Sequence, residues 1–253
     1  MRNSINTLLK ELRLSGAKQT LELRMQEATG NNLGYDEFLE LLLQDEMLVR
    51  KDRAVKRNIK KADFRDLKCL EDFDFTFNTN IKRNIIYELA AGHFIRKGED
   101  ALFLGPPGVG KSHLAQGIGY NAIKMGFSVY YRSIFDLVRD FFREEQGIDL
   151  HKTLVKYLNP ELLIIDDMGI KQLPAKAGEY LFEVILRRHE KRSTIMTSNR
   201  PIEEWGKLIN DVPAATAILD RFLQTAKIIA IKGRSYRLRN NTIKQTNKIE
   251  KEE

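Results

Sequence analysis

The stretch from Ala101 to Lys124 reads ALFLGPPGVGKSHLAQGIGYNAIK. Its first four residues are an apolar run ending at Gly105, the pattern of a buried strand. From Lys111 onward Leu114, Ala115, Ile118 and Ala122 recur at helical spacing, so Lys111 to Lys124 is predicted to be a helix with one apolar stripe. Between strand and helix, Gly105, Gly110, Lys111 and Ser112 satisfy G-x-x-x-x-G-K-[ST], in the strand–turn–helix context that a phosphate-binding loop requires. The turn Gly105, Pro106, Pro107, Gly108, Val109, Gly110 can converge backbone N–H groups on phosphate oxygens, and the helix N-terminus adds positive potential. Lys111 would reach the β and γ phosphates of ATP, and Ser112 would hold Mg²⁺. His113 stands against the same nucleotide position, although plain packing is the commoner role of a histidine there.

Outward from this core the chain alternates strands and helices. SVYYRS is predicted as a strand, Ile134 to Glu145 as a helix, LLIIDD as a strand and Ala175 to Glu190 as a helix. STIMTSN follows as a strand, then helices at Ile202 to Ile209 and Ala214 to Ala226, and a last strand KIIAI. Strands separated by helices imply an α/β fold, a parallel sheet flanked by helices.

Two strand ends carry acids and amides. In LLIIDDMG, residues 162–169, the first acid, Asp166, is placed to hold Mg²⁺ through its water shell, and Asp167 to orient or deprotonate a lytic water. A polar strand end is common in α/β proteins; its position 55 residues after Lys111, with one strand and its helix between, makes it specific. Asn199 ends STIMTSN, where its amide can reach a γ-phosphate, though an Asn turn before Pro201 is equally natural. Arg221 in AILDRFLQ and Arg237 in RSYRLRN can be surface or salt-bridged arginines, or can supply charge to a phosphoryl-transfer transition state.

Residues 1–68 differ from the rest. Ile5, Leu8, Leu9 and Leu12 mark an amphipathic helix stopping near Gly16, Lys18 to Ala28 a weaker helix, TGNNLG a loop, and Tyr35 to about Ala62 a helix roughly 40 Å long. The long helix is acidic at its start and basic at its end, which suits the helix dipole. Between Arg50 and Lys68 nine basic residues face three acids, and Arg50, Arg53, Arg57 and Lys61 share one helical face. That stripe fits nucleic-acid phosphates; a solvated face is the bland alternative. Further basic residues gather from Lys232 on, and residues 241–253 are polar and unpatterned, predicted to be a disordered tail after an ATPase domain at 69–240.

Composition sets the bounds. Of 253 residues 42% are hydrophobic, enough for a sizeable core, and the net charge of +7 favours an anionic partner. The single cysteine excludes an internal disulfide or a cysteine metal cluster and points to a reducing compartment. No apolar run approaches a membrane span, so no membrane association and a cytoplasmic location are expected.

The sequence resembles the IstB-like transposition helper ATPases, AAA+ proteins related to the DnaC-type helicase loaders. The likeness runs over nearly the whole chain, through LKELRLSGAKQTLELRM, LEDFDF, GPPGVGKSHLAQGIG, LLIIDDMG, GEYLFEVILRRHEKRSTIMTSNRPIEEW and AILDRFLQTAKIIAIKGRSYRLRN. It implies an AAA+ domain preceded by a small helical N-terminal domain for partner contact and assembly. Lys111 and Ser112 match Walker A, Asp166 Walker B, Asn199 sensor I, Arg221 the arginine finger and Arg237 sensor II. Where many AAA+ proteins carry glutamate this chain has Asp167, about one bond shorter. The resemblance implies an ATPase that forms a homo-oligomer on double-stranded DNA and serves a partner transposase. A helicase loader and a non-hydrolysing ATP-switched adaptor are the alternatives.

Overall fold

The computed structural model describes residues 2–145, 150–174 and 176–239. The predicted helix start at Ala175 and the predicted tail at 241–253 lie outside them. The chain divides into two compact units, Met1–Asn58 and Ile59–Glu253.

The first unit holds α1 (Arg2–Glu11), α2 (Ser15–Asn31) and the first part of α3 (Tyr35–Ala62), whose bounds are those predicted from its uninterrupted pattern. Its core is Ala17, Leu21 and Leu42, with Leu9, Leu14 and Phe38 packed against it. Gly16 does not stop the first helix as predicted; α1 ends at Glu11 and Gly16 sits in the first turn of α2. The reason is close packing. A Cβ on Gly16 would lie 2.8 Å from Glu46 Cα, and the Glu46 carboxylate accepts from the Gly16 and Ala17 amides at 2.5 and 3.2 Å. Those amides are unpaired donors of a helix start, so a buried acid from α3 supplies the cap. At its other end α2 runs three residues past Ala28, into the predicted loop, and Asn32 closes it in the left-handed conformation.

In the second unit α4 (Arg83–Ala90) and α5 (His93–Lys97) precede β1 (Asp100–Leu104). There follow α6 (Lys111–Lys124), β2 (Val129–Ser133), α7 (Ile134–Glu145), α8 (Leu150–Leu158) and β3 (Leu162–Met168). Then come α9 (Ala177–Arg188), β4 (Ser193–Ser198), a 3-10 turn at Ile202–Glu204, α10 (Trp205–Ile209), α11 (Val212–Thr225), β5 (Ala226–Ala230) and a 3-10 turn at Tyr236–Leu238. The sequence reading missed α4, α5 and α8, which at eight, five and nine residues are too short for periodicity to mark. The five strands form one sheet in the order β2-β3-β4-β1-β5, and every pairing is parallel, as the alternating pattern predicted.

Both faces of the sheet are covered. On one, Leu114, Ile118 and Ala122 of α6 are fully buried; around Leu102, Leu163 and Met196 the main core draws in α7 to α11 through Phe141, Leu181, Trp205 and Phe222. Residues 59–68 fall in the second compact unit. Phe64 packs on Tyr131 of β2 with ring centroids 6.0 Å apart, and Cβ atoms on Gly119 and Gly117 of α6 would meet Phe64 and Leu70. The two glycines let this segment lie flat against α6, which ties it to the second unit.

The order matters for chemistry. β1 is followed in sequence by β2 at the far edge, and the chain returns through β3 and β4 to pair beside β1 before β5 adds on its other side. The carboxyl ends of β1, β3 and β4 therefore lie side by side, where open parallel sheets bind ligands.

Candidate functional site

At those strand ends lies a cleft of about 830 Å³. The turn after β1 forms its floor. Gly108 and Gly110 have φ of +82° and +102°, and a Cβ on Gly110 would lie 2.5 Å from the Phe73 ring. Only glycine satisfies both the backbone and the packing there. Pro107, Gly108, Val109, Gly110, Lys111, Ser112 and His113 all line the cleft. Gly105 and Pro106 lie behind it and act through their carbonyls, which accept from Lys111 Nζ at 2.7 and 2.8 Å.

Lys111 also donates to Asn199 Oδ1 at 2.6 Å, joining residues 88 apart in sequence. Burial pushes the Lys111 ammonium down to about 8, opposed by the charges of Asp166 and Asp167 and reinforced by Arg237. An ammonium so little hydrated gains much from an incoming polyanion.

Asp166 is 1% exposed. Its Oδ1 accepts from Ser112 Oγ at 2.8 Å and from Thr197 Oγ1, and its Oδ2 from Tyr131 OH at 2.6 Å. In a regular strand its neighbour Asp167 would point to the opposite face. Instead the β3–β4 register shifts between Ile165 and Met168, and Asp167 takes φ +66°, so that both acids line the cleft. Thr197 stabilises the kink by accepting the Asp167 N–H at 3.1 Å. Burial and the Asp166 charge raise the Asp167 carboxyl above its ordinary range, while Arg65, 3.4 Å from Oδ2, and Arg237 pull it down.

The set of donors suits Mg²⁺. A serine hydroxyl and one carboxylate are hard oxygens, and no group of three His, Cys, Asp or Glu among the described residues forms a protein metal cage. Mg²⁺ keeps several waters and is commonly held by one or two carboxylates together with substrate phosphates. Ser112 and Asp166 would hold it.

The remaining predicted residues separate. Arg237 lines the cleft, in the 3-10 turn that the Tyr236 N–H fastens to the Gly108 carbonyl at 2.9 Å. Arg221 does not; it is an exposed residue of α11, whose Ile218 and Phe222 are buried. His113 lines the cleft and packs edge-on to Phe73, with Nε2 2.7 Å from the Cys69 carbonyl. Arg50, Arg53, Arg57 and Lys61 are exposed on α3. Arg50 pairs with Glu46 at 2.6 Å and Arg53 donates to Ser15 Oγ at 2.5 Å. Sequence reasoning missed Arg65, Tyr131, Phe73 and Tyr236 as lining residues. The LEDFDF motif pointed to Phe73 and the RSYRLRN stretch to Tyr236; nothing local marked Arg65 or Tyr131.

A model of the IstB-like ATP-binding proteins matches residues 7–244. The ATP-binding protein of insertion sequence IS5376 from Geobacillus stearothermophilus is 38% identical, over 97% of this chain and 98% of that one. The ATP-binding protein of insertion sequence IS21 from Pseudomonas aeruginosa is 35% identical, over 94% and 89%. Among solved structures, the DnaC helicase loader superposes with a TM-score of 0.51 at 24% identity, over 59% of this chain and 87% of that one. AMPPCP-bound DnaA from Aquifex aeolicus gives 0.56 at 20%, over 67% and 51%. At these identities the structural likeness speaks for the fold alone, a parallel five-stranded sheet flanked by helices.

Proposed function

This chain belongs to the family of IstB-like ATP-binding proteins, and on that premise we propose that it is an ATP-dependent helper of DNA transposition. It binds ATP with Mg²⁺, assembles as a homo-oligomer on double-stranded DNA, and recruits or activates a partner transposase. ATP hydrolysis then resets the assembly. The observation that carries the reading is the meeting of Lys111, Asn199, Asp166 and Asp167 at one phosphate-binding turn.

The turn's N–H groups receive the phosphates, and Lys111 exchanges its loop carbonyls for β- and γ-phosphate oxygens. Mg²⁺ held by Ser112 and Asp166 would supply further neutralisation of the phosphate charge. Asp167 accepts the proton of a water whose oxygen attacks the γ-phosphorus as the bond to the β-phosphate oxygen breaks, releasing ADP and phosphate. Asn199 orients the reacting groups and Arg237 offsets charge as it spreads over the γ-phosphoryl oxygens. The insertion-sequence relatives support a transposase as client. For the N-terminal unit, exposed Leu39, Leu43 and Met47, spaced four apart on α3, support a protein-contact role. Among the described residues no helix is long and apolar enough to cross a membrane.

A second reading has one observation in its favour: Arg65 occupies Asp167. An ATP-switched adaptor that does not hydrolyse would hold its acid in this way. Steady-state phosphate release with and without duplex DNA separates the two. We expect DNA-stimulated turnover in the parent, with Asp167→Asn binding ATP yet losing turnover by about 10²-fold or more. Turnover absent in the parent would favour the adaptor, and undiminished turnover in Asp167→Asn would remove that residue from the base role.

A further inference from the structure

Asp166 is a buried carboxylate held by neutral hydroxyls from three elements: Ser112 of α6, Thr197 of β4 and Tyr131 of β2. Its oxygens are satisfied by those donors, and its direction is set by whichever of them are rigid. The three donors are not equivalent. In the reading proposed above, on which this inference rests, Ser112 has a second task, since its oxygen would also hold Mg²⁺. Thr197 and Tyr131 have no such second task toward the ligand.

Both are built to stay. Thr197 is 1% exposed, and its oxygen accepts the Asp167 N–H at 3.1 Å, which leaves its own hydrogen for Asp166 Oδ1. Tyr131 is 3% exposed, sits opposite Ile164 in the β2–β3 register and is packed by the Phe64 ring. Its hydroxyl donates to Oδ2 at 2.6 Å from the side opposite β4 in the strand order.

We propose that Tyr131, acting with Thr197, clamps the Asp166 carboxylate in the direction that receives the hydrated Mg²⁺ of the nucleotide. Tyr131 is thus a positioning residue for the metal, reaching the site from an edge strand that carries none of the phosphate-binding motifs. Removing one hydroxyl leaves Oδ2 without its donor, and the carboxylate swings or recruits water. Nucleotide binding through the turn and Lys111 does not pass through this interaction.

The readout is therefore the Mg²⁺-dependent part of affinity, measured with a fluorescent ATP analogue in titrations with Mg²⁺ and in EDTA. In Tyr131→Phe the Mg²⁺ concentration for half-maximal enhancement should rise roughly tenfold, the usual cost of losing a partner that orients a metal ligand. Affinity in EDTA should be unchanged. Thr197→Val should show the same metal-specific weakening, and it tests the clamp if Tyr131→Phe does not fold. Ser112→Ala, which removes the metal's own ligand, should abolish the enhancement. A normal Mg²⁺ response in Tyr131→Phe beside an abolished one in Ser112→Ala overturns the clamp and leaves the phosphate-binding reading standing. A normal response in Ser112→Ala overturns both.

Discussion

Asp100, the first residue of β1, shows how a single side chain sets a pH dependence that has nothing to do with the nucleotide cleft. It is 4% exposed, and it accepts from the Thr194 N–H at 2.6 Å and from Thr225 Oγ1 at 2.8 Å. Burial nevertheless pushes its carboxyl up to about 6, against the lowering by those bonds and by Arg188. The folded chain thus holds the proton more tightly than the unfolded chain, where the value is near 3.8. Stability from this residue is full below about pH 4 and is lost as pH rises through 6, by about 3 kcal/mol at pH 7. Asp100→Asn mimics the protonated form, because its amide oxygen can accept from Thr194 while the Thr225 hydroxyl turns to accept. The stability difference between variant and parent, by urea unfolding at pH 4 and pH 7, should shift by about that amount in the variant's favour. A difference independent of pH would show that Asp100 does not titrate in this window.

Helix α3 illustrates two uses of one charge pattern. Arg50 neutralises Glu46, whose carboxylate caps α2, and Arg53 reaches Ser15 beside that cap. Burial opposes ionisation of Glu46, and the hydrogen bonds from Arg50, Ala17 and Gly16 outweigh it, leaving the acid below its ordinary range. Replacing Arg50 would therefore disturb the N-terminal unit as well as any DNA binding. Arg57 and Lys61 carry no such duty and test the nucleic-acid reading more cleanly. With both changed to Gln, binding to all duplexes should weaken about equally. The slope of log K against log salt should flatten by roughly one unit for each phosphate no longer neutralised. Fluorescence anisotropy over a salt series measures it; an unaltered slope would make this end of the helix a solvated face.

At the scale of the whole molecule, Arg221 tests the proposed assembly. It stands exposed on α11 outside the cleft, whereas Arg237 lies within it. In the function proposed above, an arginine outside its own chain's cleft would serve catalysis by entering a neighbour's site, and arginine fingers are worth about 10³ to 10⁵ in rate where they have been measured. Arg221→Ala should bind ATP normally and show little DNA-stimulated turnover. Lys111→Ala should lose ATP binding while keeping its finger. Mixed on DNA, the two inactive variants should recover part of the activity, since one lends its arginine to the other's bound ATP. Co-assembly without recovery would place the finger's action elsewhere.

Long periodic segments and the local chemistry of the turn were legible in the chain's own order of residues. The turn 105–110, the helix from Lys111, the bounds of α3 and the parallel α/β alternation follow from backbone chemistry and from periods of two and 3.6 residues. The same local logic misplaced Gly16, because a glycine's small size can serve close packing as well as a helix end. Folding in three dimensions chose which strand ends are neighbours, and so brought Asn199 to Lys111 and Tyr131 to Asp166. It also turned Asp167 into the cleft through a register shift that no residue type announces, and assigned residues 59–68 to the second unit through Phe64. The difference is one of range. A periodic pattern records the surface a segment must bury, whereas the partner on that surface is chosen by strand order and by close packing between residues far apart in the chain.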